Sequence, residues 1–320
     1  IWLRLVLNPN SFAGESLAVN DNFFCIADKF QQGSVVNVLA ETLEVLTAPR
    51  SEVDLLRQDD VAKWLGQNKP HAVILAAARV GGIVANATYP ANFLYENMMI
   101  EANVIHAAHV AEVEKLLFLG SSCIYPKFAL QPISEDALLT GPLEETNQWY
   151  AVAKIAGIRL CQAYRAQHGC DFISAMPTNL YGPNDNFSLD TSHVIPALLR
   201  KAHEAKNSGQ HHFTIWGSGA PRREFLHVDD CADALIHLLK RYSGHGHVNV
   251  GSGSDITIAE LAEIVATIVG FKGRIEKDTS KPDGTARKLL DVGKLAALGW
   301  QARIPLETGL AQTYSFFLKK

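Results

Sequence analysis

The sequence predicts an α/β protein built on a doubly wound parallel sheet, and three observations carry that prediction. Short apolar runs with β-branched residues alternate with longer amphipathic stretches. The apolar runs are continuous rather than alternating, as in strands covered on both faces. Polar tracts bearing glycine or proline follow several of them. Parallel neighbours need right-handed crossovers, which puts helices on both faces of one sheet.

In chain order, EVLTA at 44–48 is the first such run, followed by HAVILAAA at 71–78, KLLFLG at 115–120 and FISAMP at 172–177. Helices are predicted between them at 59–68, 90–111 and 149–168, where apolar residues recur at helical spacing. Ligands bind such sheets at the carboxyl ends of the strands, where APRS, GSSC and PTNLYG fall. Beyond residue 179 the chain becomes loop-rich, with a helix predicted over 195–205 and the tract WGSGAPRREF ahead of a strand. VNVGS then reads as a strand and TIAELAEIVATIVG as a helix, with Thr257 and Glu260 as its capping box rather than as part of a phosphate loop. The polar DTSKPDGTARK and a helix starting near Pro305 complete the chain. The division expected is a Rossmann-type domain from 1–176 and 226–250, and a smaller discontinuous α/β domain from 177–225 and 251–320.

A net charge of −4, with 48% hydrophobic and 19% charged residues, gives no electrostatic reason for a nucleic-acid or membrane partner. No apolar run reaches the roughly 18 residues that span a bilayer. IWLRLVL is too short for a signal segment and contains Arg4. The cysteines Cys25, Cys123, Cys161, Cys170 and Cys231 are odd in number and form no CxxC pair, so a reducing, cytoplasmic setting without disulfides is expected. No His/Cys cluster has metal-ligand spacing.

The chemistry concentrates in GSSCIYP at 120–126 and WYAVAK at 149–154. Tyr150 and Lys154 share one helical face, so the ammonium can lower the phenol from its ordinary pKa of about 10 and hold a cofactor ribose. Alone, the spacing is also that of a surface Tyr beside a solvated Lys. Ser121, at the end of a predicted strand, adds a second hydroxyl for the same carbonyl oxygen. Cys123 is either a small buried hydrophobe or a crevice-facing thiol that moves protons beside that carbonyl. His193 is either a cap or core residue or a catalyst. His211, His212, His245 and His247 read as surface or loop residues. Arg223 is either a phosphate ligand or a solvated arginine.

From Glu44 onward the tracts AAARVGGIVANATYPANFLYENMMIEANVIHAAH, KLLFLGSSCIYP, NQWYAVAKIAGIRLC, MPTNLYGPNDNF, SHVIPALLRK, WGSGAPRREFLHVDD and KPDGTARKLLD closely resemble the GDP-L-fucose synthase family, within the extended short-chain dehydrogenase group. The resemblance implies an NADP-dependent epimerase/reductase that acts on GDP-4-keto-6-deoxy-D-mannose. It also implies that Ser121, Tyr150 and Lys154 form the reductase triad, with Cys123 and His193 as the epimerisation pair. NADP would meet Arg50, Leu119, Gly120, Ser121, Ser122, Lys154, Pro177, Thr178, Asn179, Leu180 and His193. The GDP-sugar would meet Lys201, where the family usually has Arg, together with Trp216, Arg223 and Asp283. Arg50, following EVLTA, also suits a cofactor 2′-phosphate on physical grounds. A homodimer through helices at 90–111 and 149–168 is implied as well.

The chain departs from the family over residues 1–41, where Gly14 and Gly33 are the only glycines and no GxxGxxG turn occurs. QGSVVNVLAE alone echoes the end of that motif. A frame change, a chimera or a fragment would each account for this. Backbone N–H groups approach a pyrophosphate through that turn, so weakened NADPH binding is expected. The alternatives carried are a sugar-nucleotide 4-epimerase or 4,6-dehydratase on the same fold, and a catalytically silent homologue that pairs with a partner chain.

Overall fold

The computed structural model describes residues 22–27, 44–46, 48–189, 191–281 and 283–319. The readings at Gly14, Gly33 and QGSVVNVLAE lie outside these residues. In chain order the first half consists of β1 (Asn22–Ala27), β2 (Glu44–Leu46), α1 (Gln58–Asn68), β3 (Ala72–Ala76), α2 (Ile83–Thr88), α3 (Pro90–Val110), β4 (Lys115–Leu119), α4 (Gln148–His168) and β5 (Asp171–Pro177). There follow β6 (Asn179–Tyr181), α5 (Val194–Asn207), β7 (His212–Trp216), β8 (Arg222–His227), α6 (Val228–Arg241), β9 (Val248–Val250), β10 (Asp255–Thr257) and α7 (Ile258–Val269). The chain closes with β11 (Arg274–Asp278), β12 (Arg287–Lys288), α8 (Gly293–Ala297) and α9 (Leu306–Phe317).

The main sheet has the order β2-β1-β3-β4-β5-β9, with every pair parallel. The chain steps outward from β1 to β2 and then crosses back to β3 on the other side. The order therefore reverses between β1 and β3, and a crevice opens beyond their carboxyl ends. The predicted alternation began only at EVLTA and missed β1, which registers Phe23 against Val45 and Cys25 against Ile74.

The continuous apolar runs have the two-sided burial they implied. Along β3 and β4, Val73, Leu75, Leu116 and Phe118 face one core with Leu65, Ile105 and Ile158 of α1, α3 and α4. Ile74, Leu117 and Leu119 face the opposite core with Leu235 and Leu238 of α6. Each such fully buried side chain contributes about 1.5–3 kcal/mol relative to exposure. A third core joins Leu199, Ile215, Leu261 and Leu310, from α5, β7, α7 and α9.

Local chemistry sets the helix boundaries. Pro90 opens α3, where its missing N–H costs nothing. Thr257 and Glu260 form the predicted capping box of α7, with Glu260 N donating to Thr257 Oγ1 at 3.1 Å. His247 corrects an expectation. It is buried, 5% exposed, because it leads into β9 with its ring against Tyr125, whose hydroxyl lies 2.9 Å from Nε2. Cys123, Cys161, Cys170 and Cys231 are free. Among the described residues no helix is long and apolar enough to cross a membrane, and no three His, Cys, Asp or Glu are grouped to hold a metal ion.

Candidate active site

The loops beyond β3 and β4 are fixed by short polar contacts. After β3, buried Asn97 of α3 clamps the backbone of Arg79, accepting from its N–H at 2.8 Å and donating to its carbonyl at 3.1 Å. After β4, Gly120 N donates to Ala175 O of β5 at 2.9 Å. Ser121 then turns the chain, its Oγ accepting from Cys123 N at 3.3 Å to start a short 3₁₀ turn at Ser122–Ile124.

Tyr150 and Lys154 lie one turn apart on α4, with the Lys154 ammonium 5.8 Å from the Tyr150 ring centroid. Lys154 is 1% exposed, and its Nζ donates to Leu119 O at 3.0 Å. The same ammonium pairs with Glu101 Oε1 of α3 at 3.1 Å, both side chains being only 2% exposed. Burial pushes the Glu101 carboxyl up to about 7, and the Lys154 charge opposes that rise. Tyr150 is half-buried, edge-on to Phe93 at 6.5 Å.

Cys123 is half-buried and receives two donors, Asn147 Nδ2 at 3.3 Å and Lys288 Nζ at 3.6 Å. Asn147 is the N-cap residue of α4, yet it makes no side-chain capping bond. An Asn there normally accepts from the first-turn N–H groups, a contact worth about 1 kcal/mol. Here its amide is turned to the sulfur instead.

A second group of side chains gathers beside β7 and β8. Trp216 is exposed between two ammonium groups, Lys201 at 5.5 Å and Lys281 at 5.7 Å from its ring centroid. Lys201 also donates to Thr214 O at 3.1 Å, and burial lowers its pKa below the usual lysine value. Asp283 accepts from Ser218 N at 2.7 Å and Ser218 Oγ at 2.8 Å. That approach depends on Gly217, which has φ +71°; a Cβ there would collide with the Asp283 carboxylate. Arg223 Nη2 lies 3.5 Å from where a Cβ on Gly284 would stand, so Arg223 closes the same group. Lys288 stands opposite Arg223 in the β12–β8 register and links this group to Cys123.

The remaining predicted positions are placed as follows. Pro177 ends β5, Thr178 N donates to Val250 O at 2.9 Å, and Asn179 Nδ2 donates to Glu224 O at 2.8 Å, with half-buried Leu180 beside it in β6. His193 is the exposed N-cap residue of α5. The preceding Ser192 carbonyl lies 3.5 Å from where a Cβ on Gly82 would be, which sets this loop beyond the carboxyl end of β3. Arg50 is exposed past β2 and pairs with Asp54 at 3.6 Å.

A family model described as "NAD dependent epimerase/dehydratase family" matches residues 24–251. The chain belongs to that family. It is 61% identical over 282 residues to a GDP-L-fucose synthase of Sinorhizobium fredii, covering 88% of this chain and 90% of the relative. It is 59% identical over 294 residues to GDP-L-fucose synthase 1 of Arabidopsis thaliana, covering 92% and 89%. A solved GDP-L-fucose synthetase from Naegleria fowleri bound to NADP superposes with a TM-score of 0.86 at 25% identity, covering 99% of this chain and 96% of that one.

As a member of the epimerase/dehydratase family, the chain brings Ser121, Cys123, Tyr150 and Lys154 to the carboxyl end of β4. It brings Lys201, Trp216, Arg223 and Asp283 to a second group linked through Lys288. Sequence reasoning missed Glu101, Asn147 and Lys288. Glu101 carried a faint signal, being a carboxylate on the interior face of a predicted helix. Asn147 and Lys288 carried none, because their contacts are made by the fold.

Proposed function

We propose that this chain converts GDP-4-keto-6-deoxy-D-mannose to GDP-L-fucose, by epimerisation at C3 and C5 followed by reduction at C4 with NADPH. What supports the reading is Ser121 and Cys123 directly after β4, with buried Lys154, one turn from Tyr150, donating to Leu119 O of that strand, in a chain 61% identical to a GDP-L-fucose synthase. The described residues fit the cofactor. Lys154 keeps one of its three donors beyond Leu119 O and Glu101. Leu119, Gly120, Ser121 and Ser122 lie at the carboxyl end of β4, and Pro177, Thr178, Asn179 and Leu180 at that of β5. Arg50 is exposed past β2, where a 2′-phosphate is read. When bound, NADPH supplies the hydride for C4.

In this reading the protein's own groups handle protons and charge. The C3 and C5 protons are acidic because both flank the C4 carbonyl. Ser121 and Tyr150 hydroxyls stabilise the oxyanion. Cys123 and His193, with free pKa values of about 8.5 and 6.5, remove and return protons near neutrality. Tyr150 then protonates the C4 oxygen. Lys201, Trp216, Arg223 and Asp283 hold the GDP-sugar, with Arg223 on the diphosphate.

We read 1–176 with 226–250 as the cofactor domain and 177–225 with 251–320 as the substrate domain; the separate core around Leu199 and Leu261 supports this. The exposed Tyr95, Met98, Trp149 and Val152 support a homodimer through α3 and α4. Free cysteines suit a cytoplasmic setting.

The test is incubation of the purified chain with GDP-4-keto-6-deoxy-D-mannose and NADPH, with products identified by NMR. GDP-L-fucose formed in step with NADPH loss is expected. A product unchanged at C3 and C5, or no product from a chain that binds NADPH, would refute the reading. A fluorescence titration measures the NADPH affinity, expected to be weakened by the absence of glycine-turn residues in 1–41.

A further inference from the structure

Glu101 is a costly residue in the place it occupies. It projects from α3 into the core and is 2% exposed, with the Lys154 ammonium at 3.1 Å from Oε1 and the Gly157 backbone also against its carboxylate. Removing a carboxylate from water costs several kcal/mol unless it is well paired, and a well-packed apolar side chain in such a site is often more stable. The fold nevertheless makes room for it. Gly157 on α4 faces it, and a Cβ there would stand 2.7 Å from Glu101 Oε2. A charge that packing does not require invites a chemical explanation.

The groups around it are few. From α4 come Lys154, with its ammonium at 3.1 Å, and the buried thiol of Cys161, which burial pushes up to about 12. From β4 comes the Phe118 ring, 4.7 Å from the same ammonium. The buried side chains that α1 and β3 turn to this core are Val61, Trp64, Leu65, Val73 and Leu75, none of them titratable. Among the described residues Lys154 is thus the only cation paired with Glu101, at 3.1 Å, and the same ammonium lies 5.8 Å from the Tyr150 ring.

A lysine cation beside a phenol favours the tyrosinate. That helps an enzyme that removes a proton from an alcohol, but it hinders one that reduces a ketone. In reduction C4 gains a hydride and its oxygen takes the proton of Tyr150, leaving a tyrosinate that solvent must reprotonate. Tyr150 must therefore begin each turnover as a phenol. We propose that Glu101 is a positioning residue for this step: its carboxylate offsets the Lys154 charge and keeps Tyr150 in the proton-donating form. The inference rests on the reductase reading above.

The test is a spectrophotometric titration of tyrosinate without substrate or cofactor, the Tyr150 signal being isolated by subtracting the matching Tyr150→Phe protein. In Glu101→Gln the Tyr150 midpoint is expected to fall by about one pH unit, a tenfold change in its ionisation constant. The alkaline limb of the reduction rate should move the same way. A midpoint that stays or rises overturns the proposal. Glu101→Asp withdraws the carboxylate by one methylene; should the Gln protein not fold, a smaller fall of the same sign is expected, and no fall overturns the proposal. A shifted midpoint in a chain that never turns over the GDP-sugar overturns the functional reading and supports the Glu101–Lys154–Tyr150 coupling. Normal turnover with an unmoved midpoint does the reverse.

Discussion

Lys288 Nζ stands 3.6 Å from Cys123 Sγ, reaching it from a strand whose register partner is Arg223. The ammonium donates a charge-assisted hydrogen bond to the sulfur. Thiolates are the species that alkylate. Lys288→Met should therefore slow iodoacetamide labelling of the Cys123 peptide by about tenfold at neutral pH, the effect of losing a charge-assisted hydrogen bond to the sulfur. Lys288→Arg should restore most of it. Mass spectrometry provides an internal control in Cys170, whose labelling should not move. Solvent deuterium uptake at C3 and C5 should fall in parallel.

Lys201 offers a single ammonium where a guanidinium would offer a planar fork. It already donates to Thr214 O and lies 5.5 Å from the Trp216 ring, so an arginine there would keep the ring contact and gain donors. Lys201→Arg is expected to lower KM for the GDP-sugar by roughly threefold to tenfold, in line with the gain of a bidentate contact. The turnover number should stay unchanged, and steady-state kinetics separates the two. A change confined to kcat would remove Lys201 from the binding group.

Gly157 lets α3, α4 and β4 meet. A Cβ there would lie 2.5 Å from Phe118 Cζ and 2.7 Å from Glu101 Oε2, and neither neighbour is at a surface where it could give way. Gly157→Ala should destabilise the protein by about 1–3 kcal/mol through overpacking, despite the better helix propensity of alanine. Chemical denaturation of the variant beside the parent chain measures this.

Burial, helped by Lys294 and Arg159, lowers the pKa of His247 to about 4. An unfolded histidine titrates near 6.5. Between these values the unfolded chain binds the extra proton, so the contribution of His247 is present above about 6.5 and is lost as pH falls towards 4. The loss between pH 7 and 5 should be on the order of 2 kcal/mol. His247→Gln should flatten that part of the stability profile, and a profile as steep as the parent's would show that the pH dependence arises elsewhere.

Periodicity alone made much of this fold readable. The runs at 71–78 and 115–120 became strands buried on both faces, and the Thr257–Glu260 pattern became a real cap. What failed to show was what depends on distant partners. NFFCIA has strand composition but no glycine turn beside it to mark its role, so β1 went unseen. His247 looked like one more loop histidine until β9 carried it against Tyr125. Ser121, Tyr150 and Lys154 were legible because a helix turn and a strand end fix their spacing. Lys288 was not, since its partner Cys123 is 165 positions away in the chain.

The stretch from Asp283 to Lys288 has one end among the groups proposed to hold the GDP-sugar and the other end on the Cys123 thiol. Were the GDP-sugar seated at Asp283 as proposed, so short a strip would carry that seating on to Lys288. The GDP moiety would then be a handle as well as an address label. A bare 4-keto-6-deoxy sugar should exchange its protons slowly even when saturating, because its binding cannot pull the strip taut. Deuterium exchange into the free sugar, with and without added GDP, would measure how much of the catalysis the handle supplies.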